Sequence, residues 1–463
     1  MISKSHEIDM TSGPVLPKLL AFSIPLILSS ILQLLFNAAD VIVVGQFVGK
    51  EALAAVGSTS SLINLLVNIF TGLSVGANVA AATYYGAGKN ELIKKTVHTS
   101  ILLSLISGAI LTVVGLCFTR NFLVWMKSPE NVIDLSALYL KIYFGGITAT
   151  MIYNFGAAIL RAKGDTMRPL FILLIAGIIN FILNLVFVIV FKMSVAGVAF
   201  ATVISQVFAA AAVIYFLMKE KGDFKLELKK LAIDRKVLFK ILNVGIPAGL
   251  QGILFSFSNV IIQSAINTFG DVEIAGSSAS SSVEGFVWTS MNGFAQGALT
   301  FVSQNYGAGK IDRIKKSTVT AELTAAVTGL LFGNLVVLFG KQLLSFYSKD
   351  AQVIEAAFVR LRIVCGSYFL CGIMDTLASA IRGIGHSLVP TIITLVGACL
   401  SRIVWIMTVF QKEKFHTPEV IFTAYPLSWI LTFLVLLLAF ILFYRKLKKS
   451  FSKKAVSKEG VVV

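Results

Sequence analysis

The chain has 463 residues, 56% of them hydrophobic and only 14% charged, with a formal net charge of +17 and a mean hydropathy of +0.85. A water-soluble chain carries about a quarter charged residues, so most of this one faces something other than water. Its apolar runs of about 20 residues suit membrane-spanning helices, their continuity excludes a barrel of alternating strands, and no nucleic-acid motif accompanies the positive charge.

In chain order, the opening stretch Met1–Ser12 is polar and lacks the basic-then-apolar pattern of a cleaved signal, so the first apolar run is expected to remain as a span. Spans are predicted near 17–45, 53–81, 96–119, 132–160, 169–191 and 195–218. Beyond the polar joint Lys219–Lys240, six more follow near 239–267, 274–303, 317–340, 353–381, 388–410 and 418–444. The expected fold is an all-α membrane protein of twelve transmembrane helices in two pseudo-symmetric six-helix bundles. Residues 1–218 form the N-terminal bundle, 219–238 a linker, 239–444 the C-terminal bundle and 445–463 a basic tail. Cations crowd the joints after even-numbered spans, among them Lys89, Lys94, Lys95, Arg161, Lys163 and Arg168, as well as the linker and the tail. Joints after odd-numbered spans hold few, mainly Lys50, Arg120, Lys127, Lys341, Lys349, Lys412 and Lys414. The positive-inside rule then puts the linker and both termini in the cytoplasm of a multi-pass plasma-membrane protein. Cys117, Cys365, Cys371 and Cys399 lie in or beside apolar runs without metal-ligand spacing and read as small core hydrophobes.

The two halves repeat. Tyr85–Lys89 (YGAGK) recurs as Tyr306–Lys310. Arg161, Gly164 and Pro169 recur as Arg382, Gly385 and Pro390, and Val132-Ile133 as Val353-Ile354, all at that same offset. Ile24-Pro25 pairs with Ile246-Pro247, one position out of step. An even number of spans per unit makes the repeats parallel, related by an axis along the membrane normal, with a central cleft suited to alternating access. The YGAGK glycines are expected to end helices with φ > 0. Pro25 and Pro247, inside spans 1 and 7, are candidate hinge or kink positions.

The duplicated plan, the early IP in each half, YGAGK after spans 2 and 8, and R-x-x-G-x-x-x-x-P after spans 4 and 10 resemble the multidrug and toxic compound extrusion (MATE) transporters. The resemblance covers nearly the whole chain. It implies export of small amphipathic, often cationic compounds driven by inward proton or sodium flow, with no cofactor beyond the coupling ion.

An ionisable residue inside a span is costly and is a functional candidate by default. Asp40 in span 1 is the sharpest, beside Glu284 in span 8 and Asp375 in span 10. Removal from water disfavours the charged form of a carboxylate, which suits Asp40 to proton exchange. With oxygens from its neighbours it would suit a bare sodium ion instead; the alternative is a neutral, hydrogen-bonded structural aspartate. The resemblance implies a cation-coupling site at Asp40, Tyr139, Asn180, Asn184 and Thr202. Asn180 and Asn184 share a helix face through their i, i+4 spacing. Asn184 departs from the pattern, since some relatives carry aspartate there, so a doubly negative site is not available. Tyr139 fits an interfacial aromatic belt equally well. Other branches of the family place an acid on span 7, where this chain has Gln251 and Gln263 instead; coupling is therefore expected in the first half. In the repeat, Asp40, Asn180 and Asn184 align with Ile262 or its neighbour, Ser401 and Trp405. Asp375, Glu284 and Gln251 are candidates to line the cleft. Arg402 is a candidate partner for Glu284, and the repeat mates Lys141 and Arg362 are expected to snorkel.

Two rival classes carry less. A flippase for lipid-linked oligosaccharide is expected to line its cavity with several arginines, and few are placed to do so here. An enzyme needs clustered acids, histidines or a nucleophile with its base, whereas His6, His98, His386 and His416 are scattered and no H-E-x-x-H occurs.

Overall fold

The structure, a computed structural model of the chain, describes residues 7–126 and 128–459. Part of the expected polar N-terminus, Lys127 and the end of the basic tail lie outside the described residues.

Among the described residues the regular elements are all helical, as hydrocarbon demands of backbone groups that cannot turn to water. Nine spans are long and apolar by themselves. They are α1 (Val15–Phe47), α2 (Lys50–Gly86), α3 (Asn90–Trp125), α6 (Met167–Leu185) with its π turn Val186–Val190, and α7 (Ser194–Lys219). In the second half they are α8 (Arg235–Ile266), α10 (Ile311–Leu338), α14 (Leu388–Thr394) continuing through a π turn into α15 (Ser401–Thr408), and α16 (Pro418–Glu459). Two more are bent pairs: α4 (Glu130–Gly145) with α5 (Ile147–Lys163) at 47°, and, beyond the short α11 (Gly340–Leu344), α12 (Ala351–Gly366) with α13 (Tyr368–Gly383) at 45°. The bends fall at Gly146 and Ser367, which are repeat mates at the offset of the YGAGK motifs, so the break belongs to the repeat. The 37-residue α9 (Asp271–Gly307) completes the twelve expected spans. Its many serines and glycines keep it less apolar than the others, and most of its interior is buried in protein. Helices overrun the predicted spans by several residues, as α3 does at both ends, because hydropathy marks the hydrocarbon layer while the helix continues into polar surroundings.

The repeated motifs are turn chemistry. Gly88 and Gly309 have φ of 63° and 71°, and Gly164 and Gly385 have 105° and 95°, all in the left-handed region that glycine enters without strain. After each YGAGK glycine the lysine amide returns to the helix, Lys89 N to Tyr84 O at 3.0 Å and Lys310 N to Asn305 O at 2.9 Å. Gly86, by contrast, answers to space, since a Cβ there would lie 1.9 Å from the Gln304 carbonyl oxygen.

Contacts divide the chain into two units, and the divisions fall before and inside α1, inside α8 and at the first YGAGK turn. The first unit contains Leu28–Tyr85 and Lys89–Gly249 together with the residues up to Ile8; the second contains Asp9–Ile27, Gly86–Gly88 and Leu250–Val463. The start of α1 thus packs with the second half and the start of α8 with the first, each switching shortly after its proline. Both helices run unbroken through Pro25 and Pro247. Lipid gives helices little hydrophobic reason to associate, so close packing of small residues must do it. In the first unit a Cβ on Gly72 would lie 2.3 Å from Gly249 N, and one on Gly76 2.2 Å from Ile241 O. In the second, their repeat mates Gly293 and Gly297 meet Ile27 Cγ1 at 2.3 Å and Ser23 Oγ at 2.6 Å by the same measure.

The segments entering these exchanged helices are fastened too. Before α8, Thr99 on α3 donates to Ala232 O at 3.3 Å and accepts from Asp234 N at 3.0 Å, while Lys95 pairs with Asp234 at 3.0 Å. Before α1, Arg313 on α10 holds the Met10 and Gly13 carbonyls at 2.8 and 2.7 Å, and Lys310 holds that of Thr11 at 2.8 Å.

Gly76→Val forces α2 and α8 apart and is expected to destabilise the protein by about 1–3 kcal/mol, read as a lower Tm of the purified protein. Gly57→Ala, on the same helix with nothing within 4 Å of the added carbon, is expected to leave the Tm unchanged or slightly raised.

Candidate functional site

The first unit contains a cavity of about 450 Å³ whose polar lining includes Asn37, Asp40, Tyr139, Asn180, Thr202 and Gln206. Helical periodicity explains the contribution of α1: Gln33, Phe36, Asn37, Asp40 and Val41 recur at three- and four-residue steps and share one face. The spacing of Asn180 and Asn184 does the same on α6, and Thr202 comes from α7.

Asp40 is 8% exposed and Asn184 wholly buried. The Asn184 amide donates to Asp40 Oδ1 and also to Asn180 Oδ1, at 3.3 Å. Asn180 Nδ2 donates to Thr202 Oγ1 at 3.3 Å. Thr202 Oγ1 lies 3.4 Å from Asp40 Oδ2 but only 3.0 Å from Val198 O. A hydroxyl has one proton to give, so the shorter bond takes it and Asn184 is the firm donor to the carboxylate. Among the described residues no lysine, arginine or histidine pairs with Asp40. Two buried acceptors stand nearby without a hydrogen-bond partner, Asn184 Oδ1 and Gln206 Oε1. The cluster is therefore rich in acceptors and poor in donors. Such a site is completed by a proton, or by a small cation that takes oxygen ligands. The donor set of one carboxylate, one hydroxyl and side-chain amide oxygens fits either.

The five residues singled out in the first half are thus brought together. Tyr139 is buried against the cavity, with its ring stacked on Tyr143 at 6.3 Å between centroids, and is no part of an outward aromatic belt. The second-half candidates lie elsewhere and none lines this cavity. Gln251 Oε1 accepts from the Arg382 guanidinium. Asp375 is hydrogen-bonded by Trp288, with Cys371 Sγ 4.0 Å from its carboxylate.

Glu284 requires a correction. Its partner is not Arg402, which donates to Ser428 Oγ at 2.9 Å and lies 4.3 Å from the Tyr425 ring centroid. Arg360 takes both carboxylate oxygens instead, Nε to Oε1 at 2.7 Å and Nη2 to Oε2 at 2.9 Å. Arg402 faces α16 from α15, whereas Arg360 on α12 faces α9. Sequence reasoning passed over Arg360, although it is the repeat mate of Tyr139. It also passed over Glu322, inside predicted span 9, whose two buried carboxylate oxygens have no hydrogen-bond partner among the described residues. The rule that selected Asp40 would have selected Glu322.

Comparison with known proteins extends this picture. The model of the MatE family matches residues 25–186 and again 247–408, one match per half. The chain is 29% identical over 381 residues to the probable multidrug resistance protein YoeA of Bacillus subtilis, covering 81% of this chain and 82% of the relative. It is 23% identical to the multidrug export protein MepA of Staphylococcus aureus, over 85% and 88% of the two chains. A solved MOP superfamily transporter from Pyrococcus furiosus superposes with a TM-score of 0.90 over 96% of this chain and 99% of that one; at 23% identity this likeness speaks for the fold alone.

A Cβ at Gly177 would lie 1.8 Å from Phe36 Cε2, and both residues line the cavity. Gly177→Ala is therefore expected to drive the Phe36 ring into the cavity at a cost of about 1–3 kcal/mol. Titrating the purified variant with bulky fluorescent dyes should show that loss as weaker binding, while a small quaternary ammonium ion loses less.

Proposed function

The chain belongs to the MatE family of multidrug and toxic compound extrusion transporters, proteins that are not enzymes, and from that premise we propose that it exports small amphipathic, often cationic compounds by antiport with protons or sodium, with Asp40 as the coupling residue. The observation that carries this reading is the charge balance around Asp40. A carboxylate within a membrane span has one firm neutral donor, Asn184, no paired cation among the described residues, and unpartnered acceptors beside it. A proton or sodium ion is what such a cluster lacks.

In the proposed cycle Asp40 takes up the ion from the outside. Neutralised, it releases its hold on Asn184, and α1 repacks against α6 and α7. That change closes the substrate route lined by Phe36, Tyr139 and Gln206, and the compound leaves outward. The empty carrier returns and gives its ion to the cytoplasm. Linkage requires only that ion and substrate favour opposite states or compete for one. The repeat supports two bundles that rock around a mid-membrane site, with Pro25 and Pro247 as the bending points. The excess of cations in the linker and after even-numbered spans supports cytoplasmic termini in a plasma-membrane protein. Relatives named as multidrug resistance and multidrug export proteins support drug-like substrates over a lipid-linked oligosaccharide.

Everted membrane vesicles test the coupling. With Asp40→Asn, gradient-driven dye uptake is expected to fall to the level of vesicles without the protein; undiminished uptake removes Asp40 from the mechanism. A sodium pulse at constant pH separates the ions. Dye release triggered by sodium identifies a sodium antiporter, and release triggered only by a proton pulse identifies a proton antiporter.

A further inference from the structure

The second half holds a buried carboxylate of its own, and its surroundings are the reverse of those at Asp40. Glu284 and Arg360 form a two-bonded ion pair whose side chains are 6% and 8% exposed. The remaining guanidinium nitrogen, Nη1, donates to Ser277 Oγ at 2.5 Å, and Ser280 Oγ donates to Glu284 Oε1 at 2.8 Å. The guanidinium also lies over two aromatic rings of α16, Phe422 at 5.6 Å and Tyr425 at 5.8 Å. Each nitrogen and each carboxylate oxygen is therefore engaged.

The repeat gives this pair its meaning. At the offset that carries Tyr85 to Tyr306, Arg360 occupies the place of Tyr139, Glu284 that of Ile63 and Ser277 that of Val56. All three first-half residues line the Asp40 cavity. Asp40 itself, at the offset that carries Pro25 to Pro247, corresponds to the buried Ile262. Where the first half keeps a cavity beside a carboxylate without a cation, the second half carries a carboxylate and a built-in cation. A buried ion pair is seldom worth more to stability than well-packed apolar side chains of the same size, so stability alone gives little reason for it.

We propose that Arg360 is a fixed internal counter-ion: it keeps Glu284 ionised throughout the transport cycle and so takes Glu284 out of ion coupling. This rests on the reading of Asp40 as the coupling residue. Arg360 is a positioning residue in this scheme, since it acts on coupling only through Glu284. The other titratable groups around the pair are Cys365 on α12, Tyr368 on α13 and Tyr425 on α16. Among the described residues α10 offers it no hydrogen bond or ion pair.

The test labels the full-length protein in lipid vesicles with dicyclohexylcarbodiimide, an apolar reagent that attacks buried carboxyl groups in their protonated form, and reads each site by peptide mass spectrometry. In the wild type Asp40 is expected to label increasingly as the pH falls, and Glu284 to stay unlabelled throughout. Arg360→Met leaves Glu284 without its cation, so its labelling is expected to rise by about tenfold or more. The double variant Glu284→Gln/Arg360→Met replaces two charges by two neutral groups and keeps the test open if the single variant does not fold. It is expected to move the wild-type number of coupling ions per substrate. Labelling of Glu284 in the wild type, an unlabelled Glu284 in folded Arg360→Met, or a lower ion-to-substrate ratio in the double variant would each overturn the proposal. Failure of the Asp40 reading looks different: Asp40→Asn still couples, while the labelling pattern at Glu284 is unchanged.

Discussion

Within hydrocarbon a polar group has only the protein to bond with, and a lost partner costs about 1–3 kcal/mol for a neutral group and more for a charge. Most of the chain follows this constraint. Serine and threonine hydroxyls on the spans turn back to carbonyls of their own helix, as Thr83 does to Val79 O and Ser303 to Leu299 O. Asn78 reaches the Ala158 carbonyl on α5 at 3.0 Å. Against that background the groups left short of partners stand out, and two of them, Asn184 Oδ1 and Gln206 Oε1, lie beside Asp40, a carboxylate with one firm donor. A site kept incomplete where completeness is the rule is one that an ion can finish.

The same constraint separates the two halves. They descend from one plan, visible in matched turns, matched bends at Gly146 and Ser367, and matched glycine contacts. Asp40 and Glu284 are nonetheless handled in opposite ways. In the first half a cavity and a chain of side-chain amides surround the acid. In the second, Arg360 and two serines saturate it. Breaking a saturated pair of this kind costs about 3–5 kcal/mol, far more than the protonation of a weakly held carboxylate. Function and scaffold can thus share one architecture without sharing one chemistry.

The exchanged starts of α1 and α8 bear on the same division. Each helix spends its first turns against α9 or α2 of the other half, where glycines allow backbones to approach to van der Waals contact, and then crosses into the unit that its own half builds. Asp40 lies on the part of α1 beyond that crossing, so its neighbours are first-half residues throughout. The proline before each crossing removes one backbone hydrogen bond from the helix, at the place where the helix changes its packing partners.

What could be read from the amino acids alone depends on local composition and on regular spacing. The twelve spans, the parallel repeat, the left-handed YGAGK glycines at positions 88 and 309, and Asp40 as an acid out of place in hydrocarbon all rest on such signals. Asn180 and Asn184 were legible as one face of one helix for the same reason. Pairings between helices were not. The partition of α1 and α8 between units, Asn184 as the donor to Asp40, and Arg360 rather than Arg402 as the partner of Glu284 were decided only in the tertiary structure. In a soluble protein the apolar face of a helix announces which side is buried. In a membrane the lipid-facing and the bundle-facing sides are both apolar, so the sequence shows that a polar residue lies within a span without showing which neighbour it meets.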